Sequence, residues 1–226
     1  QTYTVSITGT TYAATYSALY VGGDTSGDNW TGYVTDVRVA NGAALYTANF
    51  FPSAAPATPT YTIGATTYNS NLLLNGTTGG VVDATRTVDY ETLGDAKVTP
   101  FSPYNGSYYS NYFNGSTDYL SLADNANLEF GSGSVTAECW FYMPGTSGYL
   151  LDKNNSGTGA APGFSLNITT TSVTWYYDGA NNGYVISPIT TTITQNAWHH
   201  IALVRSVSGS TTNSIFVDGI RIGTST

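Results

Sequence analysis

Few side chains in this sequence could carry chemistry. The 226 residues include 14 carboxylates, six cations, two histidines and one cysteine. Glycoside hydrolysis needs two carboxylates flanking the scissile bond. Alternate positions of a strand share one face, so a run of alternating acids could supply both. The only glutamates are Glu91, Glu129 and Glu138, and none completes that run. Glu138 faces opposite to Cys139 on its strand, where it is expected to hydrogen-bond within the fold. His199 and His200 are adjacent, so a strand would point them to opposite faces. They cannot chelate one ion, and a zinc site wants three or four ligands. One packing histidine and one surface histidine are expected. Cys139 lies in the apolar run Thr136-Ala137-Glu138-Cys139-Trp140-Phe141. No base or cationic neighbour there would activate a thiolate, so it reads as a small buried hydrophobe.

Binding chemistry has more candidates. Calcium takes six to eight hard oxygen ligands from carboxylates, amides and carbonyls. Asp24, Asp28 and Asn29 share one Gly-rich loop and are the first choice for a metal. Asp118, Asp124 and Asn125 form a second cluster, and Asp152, Asn154 and Asn155 a third. Asp and Asn also favour turns by bonding to their own backbone, which accounts for each cluster without a metal. Dense aromatics offer stacking faces for sugars: Tyr108, Tyr109, Trp175 and Tyr176 are the candidate glycan-binding residues. Alternation buries Trp175 and exposes Tyr176, or the reverse.

The elements that would position these residues are strands. Thr, Val and Tyr are abundant, and these suit a pleated, half-buried surface. Asn41-Gly42, Asn75-Gly76, Asn114-Gly115, Asp178-Gly179, Asn182-Gly183 and Asp218-Gly219 punctuate short β-type runs, the pattern of a sandwich or barrel. Tyr33 to Val39 alternates, with Tyr33, Thr35, Val37 and Val39 on one face. Trp198 to Arg205 places Trp198, His200, Ala202 and Val204 together. Ile215 to Ile222 reads as a hairpin around Asp218-Gly219. No segment reads as a long helix; Ala43 to Asn49 offers at most one turn. Pro52 and Pro56 precede, and Pro59 opens, a Pro/Thr/Ala-rich stretch over residues 59–71, which reads as an extended connector.

Net charge is −8 and the six basic residues are scattered. A phosphate backbone needs clustered cations, so nucleic acid is a poor partner. No apolar run reaches the roughly 20 residues a bilayer requires, so no membrane insertion is expected. The chain starts at Gln1 and lacks signal-peptide features, as expected of a processed product or an excerpt of something longer. A low-charge, Ser/Thr/Asn/Gly-rich surface fits an extracellular or virion-surface protein.

Several motifs resemble one family. Tyr112-Phe113-Asn114-Gly115-Ser116-Thr117-Asp118-Tyr119-Leu120 resembles an opening strand of the form F-x-G-x-x-D-Y-L. Phe130 to Tyr142 resembles F-G-x-G-x-x-T-x-E-x-W-x-Y, and Trp198-His199-His200-Ile201-Ala202 with Val217-Asp218-Gly219 resembles W-x-H-V-A and V-D-G. The set is similar to the laminin-G-like, concanavalin A-type jelly roll of phage and bacterial surface or tail proteins. The resemblance implies an all-β fold, a two-sheet antiparallel sandwich. It also implies glycan or protein binding, with calcium as an occasional cofactor.

The order of the pieces is out of phase. Tyr20-Val21-Gly22-Gly23 and Trp30 to Val39, closed by Ala44 to Phe50, resemble the family's last strands, yet they come first. Residues 1–58 and 72–226, joined by the connector 59–71, would together make one domain. The chain could close its own sandwich as a permutant, be one period of a tandem array, or lend residues 1–58 to a neighbour. An incomplete sandwich would leave open strand edges. The leading functional expectation is a non-enzymatic structural module of an extracellular or virion assembly. It would form homo-oligomers or tandem copies by strand completion. The alternative is a lectin-like module for adhesion or host recognition, with glycans as partners and calcium as a conceivable ligand.

Overall fold

The computed structural model describes residues 18–24, 27–153, 164–176 and 184–226. Two large antiparallel sheets face each other across one apolar core, a jelly-roll sandwich. The first sheet runs β14 (Tyr184–Thr190), β13 (Ser172–Tyr176), β12 (Phe164–Thr169), β11 (Ser147–Lys153), β1 (Leu19–Val21), β9 (Tyr119–Leu122) and β6 (Tyr90–Leu93). The second runs β17 (Ile220–Ser225), β16 (Thr212–Val217), β15 (Trp198–Ser206), β10 (Val135–Tyr142), β2 (Thr31–Asn41), β8 (Ser110–Asn114) and β7 (Lys97–Thr99). β5 (Leu72–Leu74) also pairs with β2. β1 and β2 are therefore interior strands. β1 lies between β9 and β11, and β2 between β8 and β10. Each large sheet takes one interior strand from the N-terminal part of the same chain.

Alternation selects the core. Leu19 and Val21 of β1, Leu120 and Leu122 of β9, and Leu166 and Ile168 of β12 meet Ala137, Cys139 and Phe141 of β10 and Ile201 and Leu203 of β15. Cys139 is fully buried, and burial pushes its thiol well above the usual range, as expected for an inert core residue. Beyond the turn Asp218-Gly219, whose residues both have positive φ (50° and 76°), β17 returns along β16.

β2 departs from the simple alternation expected of Tyr33 to Val39. Arg38 faces Glu138 and Thr35 faces Trp140, so Asp36 and Val37 together oppose the single residue Cys139. This is a β-bulge, with Asp36 in the left-handed region at φ 54°. The extra residue reverses the faces. Val34 joins Val37 and Val39 in the core, while Thr35 stays outside and its hydroxyl donates to the Tyr109 carbonyl. The outer face gains Asp36 beside Arg38.

Residues 43–58 form a strap over that outer face. Ala44, Tyr46 and Phe50 pack on Ala202, Val204 and Phe216, and the Phe50 ring stacks on Tyr46 at 3.5 Å. No helical turn forms between Ala43 and Asn49. The Leu45 N–H donates instead to Thr136 Oγ1, at 2.9 Å. The one short helical element among the described residues is a 3-10 turn at Ala126–Leu128. Within residues 59–71, the expected extended connector, the chain folds into a hairpin of β3 (Thr60–Ile63) and β4 (Thr66–Asn69). Thr and Tyr favour strands, and Gly64 supplies the turn at φ 60°. Tyr61 stacks on Tyr68 across it at 5.5 Å.

Candidate functional site

The loop joining β1 to β2 returns across one end of the first sheet. The Trp30 N–H donates to the Gly22 carbonyl, and the Tyr149 N–H to the Asp28 carbonyl. Between this loop, the turn at Gly145 and the start of β11 lies a polar cleft of about 430 Å³. Asp28, Asn29, Thr31, Ser147, Tyr149 and Asn167 supply its side chains. Tyr149 and Asn167 are cross-strand partners on β11 and β12, which fixes their spacing. The Tyr149 ring lies 6.3 Å from Tyr176. Burial and the charges of Tyr176, Asp152, Asp24 and Asp28 hold the Tyr149 hydroxyl well above the usual phenol range. It is a permanent hydrogen-bond donor. Beside it on the outer face, Tyr20 and Tyr119 meet edge to face at 5.6 Å.

Of the expected metal ligands, only Asp28 and Asn29 line the cleft. Asp24 is buried and spends Oδ1 on the N–H groups of Gly27 (2.9 Å) and Asp28 (3.0 Å). Asn29 accepts from the Asp24 N–H and donates to the Ser116 carbonyl. The loop is thus closed by its own side chains, as Asp and Asn do in turns. Among the described residues no three His, Cys, Asp or Glu side chains converge as a metal site. The second acidic cluster is dispersed as well: Asp118 accepts from the N–H groups of Asp95 and Asn114, and Asp124 pairs with Lys153 at 3.0 Å. Asn154 and Asn155 lie outside the described residues.

The four expected glycan residues are not brought together. Trp175 cannot be a stacking platform, because β13 turns it into the core, where it is 1% exposed. Tyr176 takes the other face beside Tyr149. Tyr108 and Tyr109 precede β8 on the second sheet; Tyr108 packs edge-on to Tyr104 at 5.9 Å. Tyr149 and Asn167 were missed from sequence. Their position beside the β1–β2 loop depends on pairing between strands distant in the chain.

A second cluster lies under the strap. Glu138 Oε1 accepts from Nε of Arg38 and is ion-paired with its Nη2; Glu138 Oε2 lies 3.3 Å from His200 Nε2. These contacts hold the Glu138 carboxyl below the usual range despite complete burial. The bulge places Asp36 alongside, accepting from the Tyr104 hydroxyl. Glu138 does bond within the sandwich, in an ion pair rather than a neutral contact. Of the two histidines, His200 is buried on the outer face, and His199 is half-buried beside Asp218.

A family model described as the concanavalin A-like lectin/glucanases superfamily matches residues 114–226. The chain belongs to this superfamily. No curated protein and no solved structure matches it. The matched half of this concanavalin A-like chain carries Tyr149, Asn167, Glu138 and His200. β1, β2, the Asp28 loop and the strap lie before it, yet they supply the other wall of the cleft and the other half of the ion cluster.

Proposed function

We propose that this chain is a non-enzymatic, carbohydrate-binding module of an extracellular or virion-surface protein, and that it holds its glycan in the cleft between the Asp28 loop and β11. The observation that carries this reading is the composition of the cleft. A carboxylate (Asp28), an amide (Asn167) and a protonated tyrosine hydroxyl (Tyr149) converge on about 430 Å³. Sugars present vicinal hydroxyls that donate and accept together. Carboxylate and amide groups match them, and the neighbouring Tyr176 ring adds apolar contact area at low entropic cost. Fold membership alone would not support this reading. The test is a glycan array followed by calorimetry on Asn167→Ala and Tyr149→Phe, with and without a chelator. Loss of about tenfold or more in affinity for both variants is expected, with no chelator effect. Glycan binding that survives both substitutions would move the site elsewhere.

A role in assembly has one observation of its own. Phe51 is 100% exposed midway along the strap, beside the β16–β17 hairpin, where Ile220 is also exposed. The strap is fixed there by the Phe50 N–H donating to the Gly219 carbonyl. An apolar pair held in this way would suit contact with another copy. Native mass across concentration, compared with Phe51→Ser, tests it.

A further inference from the structure

A cavity of about 330 Å³ lies between the strap and the outer face of the second sheet. Asp36, Arg38, Glu138, Trp140 and His200 form its floor, and Tyr61 stands at its side. Ser53, Thr58 and Thr60, all exposed, form its rim and give access from solvent. The volume is within the usual range for small-molecule sites, roughly 300–1,000 Å³.

Several of the wall's donors are already engaged within it. The Ser53 and Thr58 hydroxyls donate to the carbonyls of Ala55 and Thr60. The Ala57 N–H goes to Asp36. Arg38 directs Nε and Nη2 to Glu138 and Tyr46. Acceptors are left over. His200 is 5% exposed and its Nε2 lies 3.3 Å from Glu138 Oε2; with the ring proton on that side, Nδ1 is an acceptor. That Nδ1 has no partner, and neither has the buried Tyr61 hydroxyl, which can accept as well as donate. A buried polar atom without a partner is costly, and two of them beside one cavity mark a place for a ligand group. Charge points the same way: two carboxylates face a single full cation, Arg38. The rings of Trp140, Tyr46 and Tyr61 line the same cavity.

We propose that this cavity binds a small molecule through a primary ammonium group, and that unacylated amino sugars belong to the class it accepts. The ammonium brings three donors and no acceptor, which suits the unpartnered His200 Nδ1 and the carboxylates of Asp36 and Glu138. It sits near His200 Nδ1 and the carboxylates of Asp36 and Glu138, with the sugar ring against Trp140. The site lies on the opposite sheet from the cleft at Asp28 and does not depend on it.

The test uses the whole ¹⁵N-labelled chain at pH 7 and three probes: glucosamine, N-acetylglucosamine and glucose. The chain has only two histidines, so His199→Gln assigns the imidazole signals of His200. Glucosamine is expected to shift His200 Nδ1 saturably at millimolar concentration. The acylated and neutral sugars should be at least about tenfold weaker. Tyr61→Phe, which keeps the ring and removes the hydroxyl, should weaken glucosamine severalfold. Asn167→Ala in the other cleft should leave it unchanged. No saturable shift at His200 up to ~10 mM, or glucose binding as tightly as glucosamine, overturns the proposal. Glucosamine binding that is lost with Asn167→Ala while His200 stays unmoved also overturns it, and assigns that sugar to the cleft at Asp28.

Discussion

Asp36 and Ala57 are joined across 21 positions of chain: the Ala57 N–H lies 3.0 Å from each oxygen of the Asp36 carboxylate. The bulge in β2 creates this contact, because simple alternation would not set Asp36 and Val37 against one residue of β10. The strap is thereby tethered at a charged, buried side chain. The same carboxylate accepts from the Tyr104 hydroxyl, with Glu138 and Arg38 as its charged neighbours.

That tether is titratable. Burial pushes the Asp36 carboxyl up to about 6, against the bonds from Tyr104 and Ala57. A carboxyl whose folded value exceeds its unfolded value of about 3.9 favours folding in its protonated form. Its contribution is full below about 3.9 and is lost as pH rises through about 6. A displacement of about two units corresponds to about 3 kcal/mol. Asp36→Asn should flatten the pH dependence of urea unfolding between pH 4 and 7. An unchanged slope would mean that the carboxyl ionises as freely in the fold as in the unfolded chain.

Much of this architecture was legible in the sequence, for physical reasons that also explain the gaps. The hairpin at Asp218-Gly219 and the shared face of Trp198, His200, Ala202 and Val204 follow from local chemistry and strict period-two alternation. The lone Cys139 belonged to the core by the same alternation. The bulge at Asp36 was not legible, because Tyr33 to Val39 alternates without a break and only pairing against β10 shows the extra residue. The hairpin over 60–69 was masked by the prolines before it. Tyr149 and Asn167 could be found only through the β11–β12 register, and Trp175 rather than Tyr176 went inside because β13 packs against the core in one of two equivalent phases.

The strap is also held at its middle. The Phe50 N–H donates to Gly219 at 2.9 Å, and Asn49 Oδ1 accepts from the Arg221 N–H at 2.9 Å. Gly219 has φ 76°, and a Cβ there would stand 1.8 Å from the Phe50 carbonyl oxygen. Gly64 also has positive φ, at 60°, but a Cβ there meets open space. Gly64→Ala should cost about 1–2 kcal/mol, the backbone term alone. Gly219→Ala should cost clearly more, on the order of 3 kcal/mol, since strap and hairpin must also part. Thermal unfolding of the two variants side by side checks this. Equal losses would mean that the strap yields without resistance.

The N-terminal strands should unfold with the rest. Trp30, just before β2, is fully buried and meets Phe141 of β10 edge to face at 5.6 Å. Trp30→Ala should lower stability by about 3–5 kcal/mol, as large aromatic truncations in cores do. Because β1 and β2 pair within their own chain, the unfolding midpoint should not change with protein concentration. A midpoint that rises with concentration in Phe51→Ser as well would show that a neighbour supplies these strands.

His199 and Asp218 form a pair whose pH dependence has a definite sign. His199 Nδ1 lies 2.7 Å from Asp218 Oδ2, and Nε2 lies 3.0 Å from the Thr194 carbonyl. Both ring nitrogens face acceptors, so the doubly protonated imidazolium fits best. The bond to Asp218 is the main cause that raises the His199 value, and burial opposes it. The stabilisation from His199 is full below its unfolded value of about 6.5 and is lost as pH rises through its higher folded value. Asp218 is held low, with burial as the largest opposing cause and the His199 and His200 contacts as the lowering ones. Its contribution is present above about 3.9 and is lost as pH falls through its depressed folded value. Half the Asp218 side chain is exposed, so solvent screens the pair and the gain is modest. Asp218→Asn keeps an acceptor for the His200 N–H, which Asp218 Oδ1 now takes at 2.8 Å. It also tolerates the positive φ of the turn. NMR titration of this variant should therefore show His199 falling back toward about 6.5 with the fold intact. A histidine value that does not move would assign the shift to the Thr194 carbonyl instead.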